Sequence, residues 1–503
     1  MNFCNLKGML KVKDLDIATG GTKVVLINEK DARALDIHHM DRVEVNKGKK
    51  TITAIVDIAE SAKAVPAGKI GLFEEVLEAL KVKNNDVVCI SNAPKPESLT
   101  HIKNKLDGKE LTYEETACLV KDIVDEKLSM IELTSYVAAN YTLGMTRQET
   151  LFLTKAMINT GNVLKHKTKI VADLHSIGGV PGNRTTMIII PIIISAGITI
   201  PKTSSRAITS PAGTADTMEV FCPVSVPMSK VKSLLNTVGG FILWGGSINL
   251  APADEKIIRV ESPLSIDPEG QMLASILAKK ASVGATHLIM ELPVGKDVKL
   301  KNLKEAHHLK EEFEYLCKQL GIKINVLVTN SEEPIGNGIG PVLEAIDVLK
   351  VLQNFKDAPQ DLRCKSLEMA GILFELVGKT KNGNGRELAK QILDSGQAYK
   401  TFLKMVKAQG GPIPDIKKLK PGKHSFDVLS TKTGRIKDID NKAIAKIARI
   451  AGAPKDKHSG IYLYKHMGDK ITKGEKLFTI YANSNIKLNY AKQANKQLTS
   501  YII

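Results

Sequence analysis

Two polar loops carry the residue types and the spacing that could bind an anion. The first covers residues 173–186 (DLHSIGGVPGNRTT) and the second covers residues 202–219 (KTSSRAITSPAGTADTME). Each loop follows a short apolar run, 170–172 or 198–200, that is typical of a strand. Glycines let main-chain N–H groups approach closely, and Ser and Thr hydroxyls can converge with them on a tetrahedral oxyanion. The pair of loops therefore predicts an enzyme with a phosphate site.

The apolar stretch between the loops decides how they are positioned. Residues 187–200 are almost wholly apolar but are interrupted by Pro191, Ser195 and Gly197. The run is too short to span a bilayer. It is better explained as a buried helix followed by a strand, which would hold both loops on one side of a sheet.

The N-terminal part of the chain predicts two modules. Residues 1–90 alternate in strand fashion around a short helix, which favours a small β-barrel module. Residues 94–163 switch to helical periodicity, with Thr112 and Glu115 spaced as a capping box. This segment predicts a helical domain, completed by helices near residues 228–250.

The remainder predicts an α/β domain and a smaller C-terminal module. Residues 165–425 alternate strand-like segments with helices, so a mixed-sheet α/β domain is expected, with ligands beyond the carboxyl ends of the strands. Residues 426–503 resemble an α+β hammerhead, or barrel-sandwich, domain. The predicted fold class is thus a multidomain α/β protein with a β-barrel module, a helical domain, an α/β domain and a hammerhead domain.

Composition narrows the ligand classes without choosing among them. The 503 residues carry a formal charge of +17, which suits an anionic partner. Aromatic residues make up only 4%, which leaves few platforms for stacking nucleic-acid bases, so no nucleic-acid partner is expected. The six cysteines are scattered without a CxxC motif and predict reduced thiols in a cytoplasmic protein. No metal site is expected.

A second glycine cluster predicts structure rather than a cofactor. Residues 334–341 (PIGNGIGP) have the spacing GxGxG, which is not the dinucleotide fingerprint. They predict a tight turn before a helix at Val342. No cofactor is expected.

The second polar loop is close to the signature of the thymidine/pyrimidine-nucleoside phosphorylase family, and the chain from about residue 94 to its C-terminus resembles that family. It looks most like the long form with an extra N-terminal domain, which includes archaeal AMP phosphorylases and bacterial proteins assigned as thymidine phosphorylases. The resemblance implies a pentosyltransferase in which inorganic phosphate, a co-substrate, attacks C1′ of a nucleoside or nucleoside monophosphate. It also implies a homodimer or larger homo-oligomer.

The resemblance assigns the phosphate-binding positions. These are Ser176, Gly178, Gly179, Ser204, Ser205 and Thr214. One departure concerns the residue before His175, where most family members carry a lysine that contacts phosphate and this chain has Leu174. Arg184 and Arg206 are the nearby cations that could substitute for it.

The resemblance also assigns catalytic and nucleoside-binding positions, and several have simpler explanations. His175 would orient the base or sugar, and Asp267 would protonate a departing purine. Asp267 also precedes Pro268 and could be a helix cap, and Lys279 could be a solvated helix lysine. The nucleoside- or nucleotide-binding positions are Arg206, Ala207, Ile208, Thr209, Ser210, Arg259, Ser275, Lys279 and Lys299.

Three functions remain open at this point. The first is phosphorolysis of thymidine to thymine and 2-deoxyribose 1-phosphate, which the Leu174 form of the first loop favours. The alternative is phosphorolysis of AMP to adenine and ribose 1,5-bisphosphate. The third is a non-catalytic nucleotide-binding protein on the same scaffold.

Overall fold

The computed structural model describes residues 8–207 and 210–503, and it divides the chain into two compact units. The first unit comprises Met1–Ala156 and Lys256–Glu269, and the second comprises Met157–Glu255 and Gly270–Ile503. The four domain boundaries expected from the sequence remain predictions.

A closed six-stranded barrel opens the first unit. Its strands and helices are β1 (Met9–Asp14), β2 (Val24–Asn28), α1 (Glu29–Leu35), β3 (Arg42–Lys47), β4 (Lys50–Ala59), β5 (Lys69–Leu72), α2 (Glu74–Leu80) and β6 (Val87–Asn92). The ring order is β1-β5-β2-β4-β3-β6. Alternate residues such as Val43 and Val45 on β3 are fully buried, as a strand with one inward face requires. The predicted β-barrel module is confirmed.

Four helices follow the barrel along the chain, and the first segment of the first unit ends within the last of them. They are α3 (Ser98–Leu106), α4 (Tyr113–Val124), α5 (Met130–Leu143) and α6 (Arg147–Thr160). The predicted capping box begins α4, because Thr112 N donates to Glu115 Oε2 at 2.9 Å and Glu115 N donates to Thr112 Oγ1 at 3.3 Å. Between the helices, buried Lys105 donates to Glu149 at 2.8 Å. The predicted helical domain is therefore present.

The second unit is built on parallel strands. They are β7 (Ala172–Ser176), β8 (Ile200–Ser204), β9 (Gly240–Trp244), β10 (His287–Val294) and β11 (Lys323–Asn330). Strands β11, β10 and β7 form one sheet and β8 pairs with β9, while a parallel bridge joins Val171 to Thr199 between the two. A mixed sheet was expected, but every pairing described among these five strands is parallel. The parallel order suits strands connected by crossover helices, and it places the ends of β7 and β8 at the same edge.

The α-helices that follow along the chain belong to the second unit, except for residues 256–264 and Glu269, which belong to the first. They are α7 (Thr185–Ser195), α8 (Thr214–Met218), α9 (Met228–Thr237), α10 (Pro252–Leu264), α11 (Glu269–Ser282), α12 (Leu303–Gln319), α13 (Pro341–Leu352), α14 (Gln360–Leu376), α15 (Gly385–Asp394) and α16 (Gln397–Gln409). The apolar run between the loops folds as predicted, since α7 is buried in the core and β8 follows it.

The C-terminal segment adds a small antiparallel sheet and two helices. Its elements are β12 (Gly338–Ile339), β13 (His424–Leu429), β14 (Gly434–Arg435), β15 (Asp438–Ile439), α17 (Asn441–Ala451), β16 (Gly460–Leu463), β17 (Lys470–Ile471), β18 (Lys476–Ala482), α18 (Asn485–Gln497) and β19 (Tyr501–Ile502). The main sheet has the order β12-β16-β18-β13. The hammerhead arrangement expected here remains a prediction.

Two further findings concern the described residues. Cys118, Cys222, Cys317 and Cys364 are free thiols, but Cys89 is disulfide-bonded, so the expectation of reduced thiols is wrong for Cys89. Across residues 8–207 and 210–503, no helix has the length and apolarity to cross a membrane, and no cluster of His, Cys, Asp and Glu could hold a metal ion.

The second glycine cluster forms the expected turn and is held by a buried carboxylate. Asp347 Oδ2 accepts hydrogen bonds from Asn337 N and Gly338 N, each at 2.7 Å. Its Oδ1 is buried without a hydrogen-bond partner among the described residues. Burial raises the pKa of Asp347 to about 7. Helix α13 begins directly after this turn.

We predict that Asp347 makes the second unit less stable as pH rises from about 4 through about 7. The folded state holds the Asp347 proton that the unfolded chain releases near pH 4, so the stabilisation is lost as pH rises through the folded pKa. Because of this proton, the unfolding free energy of the wild type should be higher at about pH 5.5 than at about pH 8. Asp347→Asn should lower that difference by as much as about 2 kcal/mol. Fluorescence of the single tryptophan, Trp244, during urea unfolding measures this. Equal pH dependence in both proteins would contradict it.

Candidate active site

The end of β7 places Asp173 and His175 on one side of the strand and Leu174 on the other. Asp173 is fully buried and accepts a hydrogen bond at 2.8 Å from Lys280, which is 2% exposed. The Leu174 side chain, also 2% exposed, belongs to the apolar core of the second unit. Since side chains alternate along a strand, the polar side of β7 continues into the first loop through partly buried His175.

The first loop turns sharply at its predicted phosphate-binding glycines. Gly178 and Gly179 have φ of +87° and +96°, and Gly178 N donates to Ser176 Oγ at 3.4 Å. A Cβ on Gly179 would lie only 3.1 Å from Lys299 N. Gly179 therefore allows the main chain that carries Lys299 to lie against the first loop.

The second loop is closed by Asp216 and by a close main-chain approach. Asp216 Oδ2 accepts from Ala207 N at 2.8 Å and from Gly213 N at 2.9 Å. A Cβ on Gly213 would lie 2.7 Å from Ser205 O. This closure brings the two ends of the loop together. Ser204, at the end of β8, stands at one end, and Thr214, at the start of α8, stands at the other.

Both arginines that could have replaced a lysine at position 174 have carboxylate partners. Arg184 Nε donates to buried Glu344 at 2.5 Å, and its Nη2 donates to Ala212 O at 2.5 Å. Arg206 donates to Glu219 at 2.7 and 2.9 Å, and this hydrogen bonding lowers the pKa of Glu219 to about 2. Each guanidinium is thus paired with an internal anion.

Ser275 and Lys279 lie on helix α11, and a third predicted nucleoside-binding residue, Lys299, contacts the same helix through Met272. Met272, Ser275 and Lys279 share a face of the helix because they are spaced by three and four residues. Lys299 Nζ lies 3.1 Å from Met272 Sδ, and Lys279 donates to Asp254 at 2.9 Å. The structure therefore groups Ser275, Lys279 and Lys299, and the ion pair of Lys279 differs from the solvated state considered above.

His175 lies in a strongly positive environment. Burial lowers its pKa well below the ordinary value, and four ammonium groups lower it further: Lys280, Lys202, Lys279 and Lys299. The imidazole is therefore neutral near pH 7. A neutral ring can donate from one nitrogen and accept at the other.

Other predicted site residues lie elsewhere or outside the described part. Asp267 and Arg259 belong to the first unit, where Asp267 is exposed and precedes α11. Arg259 packs beside Gly21, whose Cβ would lie 2.7 Å from its Nη1. Ile208 and Thr209 fall outside the described residues, while Ser210 Oγ donates to Ala212 O at 3.1 Å.

Sequence reasoning missed the buried charges that support this region. Lys202 is 4% exposed and donates from Nζ to Leu174 O at 2.9 Å. Lys280 and Asp173 form the buried ion pair described above. The available signal was the placement of Asp173 and Lys202 at the starts of the two polar loops, where charged residues follow strand-like runs.

Three family models match successive parts of the chain. They are the glycosyl transferase family helical bundle domain at residues 99–161, the glycosyl transferase family a/b domain at residues 168–399, and the pyrimidine nucleoside phosphorylase C-terminal domain at residues 435–501.

Curated relatives match almost the whole chain. An "AMP phosphorylase" of Methanococcoides burtonii is 43% identical, with 98% of this chain and 97% of the relative covered. A "Putative thymidine phosphorylase" of Legionella pneumophila is 42% identical, with 96% and 93% covered. The anthranilate phosphoribosyltransferase of Thermus thermophilus has a similar fold, with a TM-score of 0.52 at 18% identity, covering 61% of this chain and 98% of that structure.

We predict that Gly213→Ala disturbs the second loop. The new Cβ would meet Ser205 O, Ala207 N and Arg206 C within 2.9 Å, all of them main-chain atoms. Overpacking of this kind costs about 1–3 kcal/mol, which should lower the thermal unfolding midpoint. The matched control is Gly245→Ala, because a Cβ on Gly245 has no neighbour closer than 3.9 Å. Equal midpoints for the two variants would refute the close approach.

Proposed function

The chain belongs to the thymidine/pyrimidine-nucleoside phosphorylase family, and from that premise we propose that it is a pentosyltransferase that cleaves an N-glycosidic bond with inorganic phosphate. The observation that carries the proposal is the positive environment at the ends of β7 and β8, where two glycine-bearing loops meet four lysines around His175. Such a site suits an anionic reactant.

In the proposed reaction, an oxygen of phosphate attacks C1′ while the bond from C1′ to the base nitrogen breaks. The electron pair leaves with the base, which takes up a proton. Ser176, Ser204 and Thr214 would hold the phosphate together with the loop N–H groups. Fixed donors of this kind align the attack and cost no reorganisation during the reaction. Neutral His175 would orient the sugar or base by hydrogen bonding.

AMP is the first candidate, because a nucleoside monophosphate is an anion and four lysines act on His175 in this region. Of the four lysines around His175, Lys279 pairs with Asp254 and Lys280 pairs with Asp173. A nucleoside monophosphate would bring a 5′-phosphate, in addition to the co-substrate phosphate, to this positive region. The family resemblance assigns Asp267 as the acid that would protonate adenine, and ribose 1,5-bisphosphate would be the second product.

Thymidine is the second candidate, and the relatives' names are compatible with both substrates. It is supported by the Leu174 form of the first loop and by Ser275 and Lys279, whose hydroxyl and ammonium could bind a pyrimidine carbonyl edge. The non-catalytic alternative is less favoured because the Ser, Thr, Asp and Lys residues that the resemblance assigns are present in the sequence. Assembly as a homodimer or larger oligomer, cytoplasmic location and independence of cofactors remain predictions.

Release of free base distinguishes these functions. The assay uses the full chain with AMP, CMP, thymidine or uridine, each with and without phosphate. We expect phosphate-dependent release of adenine from AMP. Release of thymine instead would support the second candidate, and no release from any substrate would favour the non-catalytic protein.

We predict that Lys299→Ala discriminates between AMP and thymidine. If Lys299 binds the 5′-phosphate, its removal should raise KM for AMP about 10- to 100-fold, the worth of one charge-assisted hydrogen bond, and should change KM for thymidine little. The control is Lys304→Ala, which removes an exposed lysine from the nearby helix α12. An equal effect of Lys299→Ala on both substrates would exclude a 5′-phosphate role.

A further inference from the structure

Lys202 is a buried cation next to the first loop to which no role has been assigned. It lies on β8, two residues before Ser204, and is 4% exposed. Its ammonium donates to the main-chain carbonyl of Leu174 at 2.9 Å. The contact joins the carboxyl ends of β7 and β8, where the two polar loops begin.

Four other cations of this region have carboxylate partners, whereas Lys202 donates to a neutral carbonyl. Arg184, Arg206, Lys279 and Lys280 each pair with a carboxylate at distances between 2.5 and 3.2 Å. Within residues 8–207 and 210–503, Lys202 forms no ion pair. Lys202 and Lys280 thus share the negative charge of Asp173, which leaves one of these two positive charges unmatched.

An unmatched buried charge is expensive unless a ligand compensates it. Lys202 and Lys280 are both buried, and Asp173 is the carboxylate that pairs with Lys280. Burial and the charge of Lys280 lower the pKa of Lys202 well below its ordinary value. A bound anion would stabilise the protonated form, so anion binding and the positive charge of Lys202 favour each other.

We propose that Lys202 supplies the positive charge that binds the co-substrate phosphate, and that the Leu174 carbonyl fixes its ammonium below the two loops. The identity of the anion rests on the proposed function. The geometry supports this role, because Lys202 donates to the Leu174 carbonyl on β7 and stands two residues before Ser204 on β8.

The proposal also explains how an apolar residue can stand at position 174. The Leu174 side chain completes the apolar core, where a charged group would be costly. Its carbonyl points instead to the ammonium of Lys202 on the neighbouring strand. The positive charge thus comes from Lys202 on β8, whereas a lysine at position 174 would supply it from β7.

Calorimetric titration of the full chain with inorganic phosphate, without nucleoside, tests the proposal. Lys202→Gln keeps a donor and removes the charge, and it should weaken phosphate binding roughly 10- to 100-fold. Lys202→Arg keeps the charge and should stay within about threefold of the wild type. The matched control is Lys230→Gln, because Lys230 also donates to a main-chain carbonyl, Gln409 O, at 3.0 Å.

Two outcomes would overturn the proposal: unchanged phosphate affinity in Lys202→Gln, or equal weakening by the Gln and Arg substitutions, which would show that shape rather than charge matters. Trp244 fluorescence verifies that each variant is folded, and Lys202→Met, which fills a similar volume without charge, provides the test if Lys202→Gln does not fold.

The base-release assay separates failure of this inference from failure of the proposed function. If the wild type releases base only with phosphate and Lys202→Gln binds phosphate normally, the role of Lys202 is wrong and the function stands. If phosphate binds in a Lys202-dependent way but no base is released from any substrate, the function is wrong and the anion site stands.

Discussion

The buried ion pair between Asp173 and Lys280 is the interaction on which the second unit's site depends. The two groups are 107 residues apart in the sequence and 2.8 Å apart in space, and both are almost completely buried. A buried charge that loses its partner is strongly destabilising. The pair therefore fixes α11 against the end of β7, and α11 in turn presents Ser275 and Lys279.

Carboxylates elsewhere in the unit bind main-chain and side-chain donors of the loops instead of ligands. Asp216 accepts two N–H groups of the second loop, and Glu344 accepts from Arg184 and from Thr217 at 2.5 and 2.7 Å. Buried Glu291 accepts from Asn183 of the first loop at 3.1 Å. These internal anions satisfy loop donors and neutralise arginines, so Arg184 is already paired without a ligand.

The sequence predicted the parts of the fold and site that depend on local pattern. The capping box of Thr112, the helix and strand within residues 187–200 and the turn before α13 follow from short-range spacing, and the structure has all three. The partners of buried charges could not be predicted in this way. Arg184 looked available for phosphate because Glu344, its partner, lies 160 residues further along the chain. The parallel sheet also differed from expectation, since strand direction depends on crossovers that periodicity does not encode.

The ring of six strands at the N-terminus affects how the molecule can associate. A sheet that closes on itself leaves no strand with unpaired main-chain groups, so in the part of the chain that the structure describes this barrel offers no template for a strand from another molecule. Any association through this module must use side chains and loops. Point substitutions can change such contacts without altering the hydrogen-bonded ring. The surface through which the module associates can therefore change while its fold stays the same.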